Sequence, residues 1–439
     1  MKKLYIETLG CQMNKSDSER ISGILSHFGY ELVDEAKKAN LLIINTCSIR
    51  QLSADKAYSR VGLWGKWKKT KPDLKIGICG CVAQQDKKQI RKRAPYVDLI
   101  FGTHNIYELP ELIKQVEKGE KVCAVTEKAV VKDANDFNIE RANGVNAWIP
   151  IIEGCNNFCT YCVVPFTRGR ERSRTIEEIL KEVQKALDAG YKEVTLLGQN
   201  VDSYGKDFAD GKTTLANLLR AINKIDGKFR VRFVTSYPSD ITDDLIDAVE
   251  ECEKVCEYFH LPMQSGNTEI LKDMNRKYTR DEYKVIVEKI RNRFEDVAIT
   301  SDFIAGFPGE TEEQFKDTLS AIDEFQLDYQ NTAAYSPRVY TKAAKMVDKF
   351  IPEEEKIRRL GILNDKNKEA CLKSNKKYVG KVQEVLIESS TDKKGIIYYT
   401  GRARNNKLIH FVSQKNQIGD FVDVKVTKAQ TWCLYGELP

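Results

Sequence analysis

Histidine is scarce in this 439-residue chain, with four in all, at 27, 104, 260 and 410. No Ser/His/Asp arrangement is evident among so few, so hydrolytic triad chemistry has no support. Long apolar runs are missing too. None approaches the 18 residues that a membrane-spanning helix needs, and no membrane association is expected. An amino-terminal apolar core is also lacking, because Glu7 stands where a signal peptide would need one. A cytoplasmic location is therefore expected, where disulfides are rare. Cysteine itself is plentiful, and the 12 cysteines are expected to be metal ligands or free thiols. With 41% hydrophobic and 31% charged residues, the chain reads as soluble and globular, long enough for two or three domains.

Three cysteines stand in one run, Glu-Gly-Cys-Asn-Asn-Phe-Cys-Thr-Tyr-Cys, as Cys155, Cys159 and Cys162. Thiolates spaced in this way can grip one metal centre from a single loop. The run lacks a fourth ligand, for no further Cys or His lies nearby. Structural zinc takes four ligands, and an ordinary iron–sulfur cluster takes four cysteines. The spacing suggests a cluster with one iron left open, and an open metal position is where chemistry happens. Chance clustering, and zinc with a remote fourth ligand, are the competing readings.

Residues 1–135 read as short apolar strands (3–8, 41–45, 74–79) alternating with helices (16–28, 53–68, 84–93), the pattern of a parallel sheet. A cysteine follows each strand, at Cys11, Cys47 and Cys81. The C-terminal strand ends of such a sheet share one edge, where ligands bind. A second three-cysteine site, assembled from distant loops, is expected there. Three unrelated thiols in an α/β core are the alternative. Cys79 keeps the strand alternation and is expected to point into the core.

Residues 145–370 hold about six strand–helix repeats, with strands at 146–152, 194–197, 230–235, 258–261 and 297–304. A partial or full (β/α) barrel is expected, its chemistry in the loops after the strands. The cysteine triplet falls in that position, as do the polar tips at 198–200, 236–238, 262–266 and 305–310.

Residues 376–439 carry eleven Lys/Arg against six Asp/Glu, a surplus of five in a chain whose net charge is +6. A small domain holding most of the charge points to a polyanion, nucleic acid first. A solvated basic face is the alternative. Five short strands (382–388, 395–400, 408–412, 421–427, 434–437) suit a small β-barrel of the oligonucleotide-binding kind. Tyr398, Tyr399, Phe411 and Trp432 are either stacking faces for bases or barrel core, with core favoured for Phe411. Arg168, Arg170, Arg172 and Arg174 read as anion contacts or as a charge run at a helix entry.

These motifs resemble a known family. Gly154-Cys155-Asn156-Asn157-Phe158-Cys159-Thr160-Tyr161-Cys162 is similar to the radical S-adenosylmethionine (SAM) signature. The following run to Arg174, with Pro165-Phe166-Thr167-Arg168-Gly169-Arg170, narrows the resemblance to the methylthiotransferases. Thr8-Leu9-Gly10-Cys11-Gln12-Met13-Asn14, Asn45-Thr46-Cys47 and Gly80-Cys81-Val82-Ala83-Gln84 look like the family's amino-terminal cluster domain. Leu197-Gly198-Gln199-Asn200-Val201 and Gly306-Phe307-Pro308-Gly309-Glu310 look like its barrel, and the basic tail resembles its TRAM barrel. Two departures are visible at the mouth of the expected barrel. Ser236-Tyr237-Pro238 stands where the family usually has a His. Val339-Tyr340-Thr341-Lys342-Ala343-Ala344 stands where a loop commonly reads Gly-Thr-Pro-Ala.

The resemblance implies an α/β fold in three parts. These are an amino-terminal parallel-sheet cluster domain (1–135), a central radical SAM (β/α) partial or full barrel (145–370), and a carboxy-terminal OB-like TRAM β-barrel that binds RNA (376–439). It implies two [4Fe-4S] clusters, one on Cys155, Cys159 and Cys162 and one on Cys11, Cys47 and Cys81, together with S-adenosylmethionine. Tyr161, Gln199, Gln264, Asp302, Ile304 and Phe307 are the expected contacts to that cofactor, with a loop-ordering role as the alternative for each. No catalytic residue beyond the cluster ligands is expected. The implied activity is tRNA methylthiolation: a 5′-deoxyadenosyl radical takes hydrogen from C2 of an adenine, and the second cluster delivers the sulfur. Gly10-Cys11-Gln12-Met13-Asn14 looks most like the members acting on isopentenylated adenosine at tRNA position 37. Those acting on threonylcarbamoyl-adenosine more often have Lys after the first Cys. An iron–sulfur redox or sensor protein with an RNA-binding tail is the reading from another class. The implied partners are the anticodon arm of tRNA and an electron donor such as flavodoxin or ferredoxin, and the chain is expected to be a monomer.

Overall fold

Residues Leu41–Thr46 are buried at every position, as a strand covered on both faces must be. They lie within the first of three bodies. The computed structural model describes residues 2–48, 51–126, 139–141 and 144–439. In the first body β1 (Lys2–Leu9), β2 (Tyr30–Leu32), β3 (Leu41–Thr46), β4 (Lys75–Gly80), β5 (Leu99–Phe101) and β6 (Val122–Ala124) form one sheet in the order β2-β1-β3-β4-β5-β6. Every neighbouring pair is parallel. From β1 the chain steps outward to β2, then returns to β3 on the other side. The winding therefore reverses between β1 and β3, and in open α/β sheets the crevice at that point holds ligands. Apolar clusters around Ile21, Ile24 and Leu112 and around Val61, Trp64 and Ile90 pack against the sheet. The expected helix over 84–93 is two helices, Cys81–Asp86 and Lys88–Arg93, broken at Lys87, whose φ is 37°. The strands β2, β5 and β6 went unpredicted because three residues are too few for an alternation to register. The boundary expected near residue 135 lies outside the described residues.

The central body begins with β7 (Asn146–Pro150) and a short antiparallel pair, β8 (Ile152–Glu153) with β9 (Arg172–Ser173). It continues with β10 (Glu193–Leu197), β11 (Arg230–Phe233), β12 (Tyr258–His260), β13 (Ala298–Ala305) and β14 (Tyr329–Ala334). The parallel trios β7-β10-β11 and β12-β13-β14 are joined by backbone bonds, Cys256 N–H to Val231 O at 2.9 Å and Ser236 N–H to His260 O at 3.1 Å. Among the described residues this makes a partial barrel of six parallel strands. Thr175, Thr214, Thr279 and Thr311 each start an outer helix with a capping box, which satisfies donors that would otherwise be orphaned.

The third body is a closed barrel of β15 (Val382–Lys393), β16 (Ile396–Ala403), β17 (Leu408–Val412), β18 (Phe421–Ala429) and β19 (Leu434–Glu437), ordered β15-β16-β17-β19-β18. Tyr399 and Phe411 are stacked at 5.6 Å inside its core, whereas Tyr398 and Trp432 are exposed.

Two arginines lock this barrel to the central one. Arg230 and Arg232 alternate along β11 with the core residues Val231 and Phe233, so they project from the opposite face. Arg230 donates to the carbonyls of Arg402 and Glu384 at 2.7 Å each and to the Glu384 carboxylate at 2.9 Å. Arg232 donates to the carbonyls of Arg404 and Ala403 and pairs with buried Glu193 at 2.9 Å. Replacing one partner of a buried pair leaves an uncompensated charge, at a cost of about 3–5 kcal/mol. Arg232→Met, measured by urea denaturation, is expected to lose that much. A loss below about 1 kcal/mol would mean that the barrel is held elsewhere.

Candidate metal and cofactor centre

Three thiols meet at the reversal edge of the first sheet. Cys11 caps the helix Gln12–Ser26, Cys47 follows β3, and Cys81 opens the helix Cys81–Asp86. The Cys47 thiol is hydrogen-bonded to both of the others, which pushes it up. That hydrogen bond does most to hold Cys11 down at about 6 and Cys81 at about 7. Burial opposes it, and the Arg168 guanidinium assists it. Gly80 sits at φ 86°, and a β-carbon there would lie 2.7 Å from the Thr46 carbonyl, so glycine lets the Cys81 and Cys47 turns close together. The Cys11 and Cys47 turns are tied by a buried amide pair. Asn14 Nδ2 donates to Asn45 Oδ1 at 3.0 Å, and Asn45 Nδ2 donates to the Asn14 carbonyl at 2.8 Å. Cys79 points away into the apolar core.

The second trio sits in the loop 154–171, stapled at its base by the β8–β9 pair. Gly154 has φ 83°, and a β-carbon there would overlap the Arg170 carbonyl. Its N–H donates to Gln199 Oε1 at 2.5 Å. The backbone N–H groups of Asn157 and Val164 reach the thiols of Cys155 and Cys162, yet burial pushes these up to about 11 and about 12. Arg276 Nη1 approaches Cys159 Sγ at 3.6 Å. Its guanidinium lies 4.2 Å from the Tyr237 ring centroid and donates to the Pro262 carbonyl at 2.6 Å. Nothing in the local run Asn275-Arg276-Lys277-Tyr278 marked Arg276 in advance, because Cys159, Tyr237 and Pro262 come from three other loops.

A buried ion pair links the two trios. Arg168, six residues past Cys162, donates to Asp17, six past Cys11, at 2.6 Å. Both side chains are almost completely buried. Two more of the run's arginines also pair internally, Arg172 with Glu153 at 3.5 Å and Arg174 with Glu182 at 2.7 Å.

The six expected cofactor contacts are placed as follows. Tyr161 and Ile304 pack against an apolar cluster of Ile270, Met274, Phe307, Tyr335 and Ala343. Gln264, at φ 76°, exchanges backbone bonds with Asp302 and Ile304 at the ends of β12 and β13. Asp302 Oδ1 accepts from Asn331 at 2.9 Å. Gln199 stands apart from these, on Gly154.

The chain is 46% identical to the tRNA-2-methylthio-N(6)-dimethylallyladenosine synthase of Acetivibrio thermocellus, over 100% of this chain and 91% of the relative. It is 47% identical to that of Carboxydothermus hydrogenoformans, over 100% and 99%. The chain belongs to this synthase family. Family models match in the same order: the uncharacterized protein family UPF0004 over residues 3–102, the Radical SAM superfamily over 149–322, and the TRAM domain over 376–438. Solved structures share the fold at low identity. The radical S-adenosylmethionine methyltransferase TsrM from Kitasatospora setae, with cobalamin and a [4Fe-4S] cluster bound, has a TM-score of 0.56 at 15% identity. That match covers 78% of this chain and 77% of TsrM. The cobalamin-dependent radical enzyme OxsB gives 0.53 at 13%, covering 82% and 56%.

The donor set suits iron–sulfur clusters. Each trio is all thiol and has a buried arginine beside it to offset the charge of a thiolate-bound cluster. Ser48 Oγ and Asn157 Nδ2, each next in line to a cysteine turn, are buried and without a hydrogen-bond partner among the described residues. No three His, Cys, Asp or Glu side chains among the described residues are arranged to hold a single metal ion. A four-iron cluster takes each cysteine on a different iron and spreads its ligands wider than one zinc ion does.

Arg168→Leu would leave the Asp17 carboxylate buried alone and is expected to cost about 3–5 kcal/mol in denaturant unfolding. Adding Asp17→Leu should recover most of it, and additive losses would refute the coupling. Acid provides a second test. His104, buried beside Gly169 and Arg172, is held at about 4, first by burial and then by Arg172. Its ordinary value is 6.5, so the unfolded chain takes the proton first as pH falls. Stability should therefore drop between pH 6.5 and about 4, by about 3 kcal/mol in all. His104→Gln should flatten that limb.

Proposed function

We propose that this protein methylthiolates C2 of N6-isopentenyladenosine at position 37 of tRNA, as a cytoplasmic, monomeric radical enzyme. The observation that carries the reading is the pair of three-cysteine sites coupled through Arg168 and Asp17. One open site would suffice for radical formation; a second beside it is what sulfur insertion requires.

Cys155, Cys159 and Cys162 would hold one [4Fe-4S] cluster and Cys11, Cys47 and Cys81 the other. When bound, these groups supply reductive cleavage of S-adenosylmethionine and the sulfur to be transferred. The chain's own residues position the reactants. Gln199 fixes the start of the cysteine loop through Gly154. Tyr161, Ile304 and Phe307 offer an apolar wall for the adenine of S-adenosylmethionine, and Gln264 and Asp302 offer polar contacts from the strand tips. Glu310 accepts from Gly306 N–H at 2.8 Å and from Arg359 at 2.9 Å, which stiffens the loop carrying Phe307. The target base must leave its stack, which costs least in a single-stranded loop such as that of the anticodon. The carboxy-terminal barrel grips the backbone of the anticodon arm, and a flavodoxin or ferredoxin donates the electron.

Anaerobic reconstitution should give about eight irons per chain and dithionite-dependent 5′-deoxyadenosine, with about four irons left after replacing Cys155, Cys159 and Cys162 by Ala. Iron without that product would point to a redox or sensor protein. Mass spectrometry of tRNA nucleosides from a deletion strain should show loss of the 2-methylthio-isopentenyl nucleoside; loss of the threonylcarbamoyl form would reassign the substrate. Lys415, Lys425 and Lys428 are exposed and have no acidic partner among the described residues. Reversing all three to Glu should weaken tRNA binding and flatten its salt dependence while 5′-deoxyadenosine formation persists. This is a cleaner test than deleting the barrel, which would strand Arg230 and Arg232.

A further inference from the structure

One set of rings at the barrel mouth belongs to none of the apolar clusters formed by the described residues. Phe158 lies between Cys155 and Cys159, Phe166 four residues after Cys162, and Tyr340 on the segment after β14. The Phe166 and Tyr340 centroids are 6.0 Å apart with the rings tilted by 33°, and Phe158 meets Phe166 edge-on at 6.4 Å. Phe166 is 46% exposed and Tyr340 54%. Arg170 lies 4.4 Å over the Phe158 ring. Unlike its neighbours Arg168, Arg172 and Arg174, it is exposed and forms no ion pair among the described residues.

Core packing does not explain these rings, since their outer faces meet water. The backbone under two of them is costly as well. Phe158 and Tyr340 hold φ 48° and 75°, a region bulky side chains rarely occupy and one that clusters at ligand sites. The position is also specific. Ala343 N–H donates to the Thr160 carbonyl at 2.8 Å, tying Tyr340's segment to the loop of Cys155, Cys159 and Cys162. Arg338, two residues before Tyr340, lies near Cys47. The segment therefore has one end on the loop of Cys155, Cys159 and Cys162 and the other near Cys47.

We propose that Phe166 and Tyr340, backed by Phe158 and Arg170, form a stacking platform for a nucleobase adjacent to the modified adenosine. The inference rests on the RNA substrate proposed above. Splaying one base out of a loop unstacks its neighbours, and proteins take up unstacked bases on aromatic faces and guanidinium planes. The platform holds the loop open while the target enters between the trios.

The test uses the full chain and an anticodon stem-loop RNA with 5-iodouridine on either side of the target adenosine. Irradiation should crosslink the RNA to Phe166 or Tyr340, with or without the isopentenyl group on the target. Tyr340→Leu and Phe166→Leu should each weaken binding by about 5- to 150-fold with an unchanged salt slope, whereas Tyr340→Phe should bind as the native chain does. Unchanged affinity in the double Leu variant overturns the platform, as does crosslinking only when the isopentenyl group is present. Failure of the native chain to bind the RNA at all overturns the substrate reading itself.

Discussion

A single buried ion pair, Arg168 with Asp17, constrains both cysteine trios at once. Its partners lie 151 residues apart in the chain, at the same offset from Cys162 and from Cys11. Neither charge has water to fall back on, so separating them is expensive and their geometry is narrowly defined. A buried pair adds little net stability over a well-packed apolar one, but it resists any other register. Around it lies a second buried set of charges: Arg141 and Arg174 both reach Glu182, and Arg20 sits between Glu153 and Glu182. The helix after Cys11 is thereby held against the helix Ile176–Asp188 by directional contacts. An oily surface between the same helices would permit sliding, and sliding would change the gap between the sites.

The trios were legible in the sequence because each obeys a local rule. Cys155, Cys159 and Cys162 are close in the chain. Cys11, Cys47 and Cys81 are distant, but each follows a strand, and parallel sheets gather strand ends on one edge. The five strands of the carboxy-terminal barrel were legible from their turns, and so was the central barrel from its repeats. What stayed hidden depends on partners far apart. No periodicity reveals that Arg168 meets Asp17 or that Arg276 reaches Cys159. The break at Lys87 escaped notice because no Gly or Pro marks it, and the positive φ there is visible only in the fold.

The charge of the last 64 residues teaches a related lesson. Read as a count, it suggested one basic face. In the fold, Lys381 pairs with Asp296, Arg402 with Glu388, Arg404 with Glu257 and Lys407 with Asp328. Three of those four acids belong to the central barrel, so Lys381, Arg404 and Lys407 dock the small barrel and their charges are partly offset by partners. The part of the surplus free to meet a polyanion is smaller, and among the described residues it includes Lys376, Lys394, Lys415, Lys425 and Lys428. A charge count measures the potential for binding and assembly together, and only burial separates the two.

The loop from Gly154 to Arg174 concentrates these roles. It carries three thiols, the cation that reaches the other trio, two of the three rings at the mouth and the guanidinium over one of them. Its base is stapled by β8 and β9, and its middle is tied to Met274, Asn275 and Ala343. A loop anchored at so many points cannot shift in one part alone. Any displacement at Phe166 would be felt two residues away at Arg168, and through Asp17 at the helix that Cys11 caps.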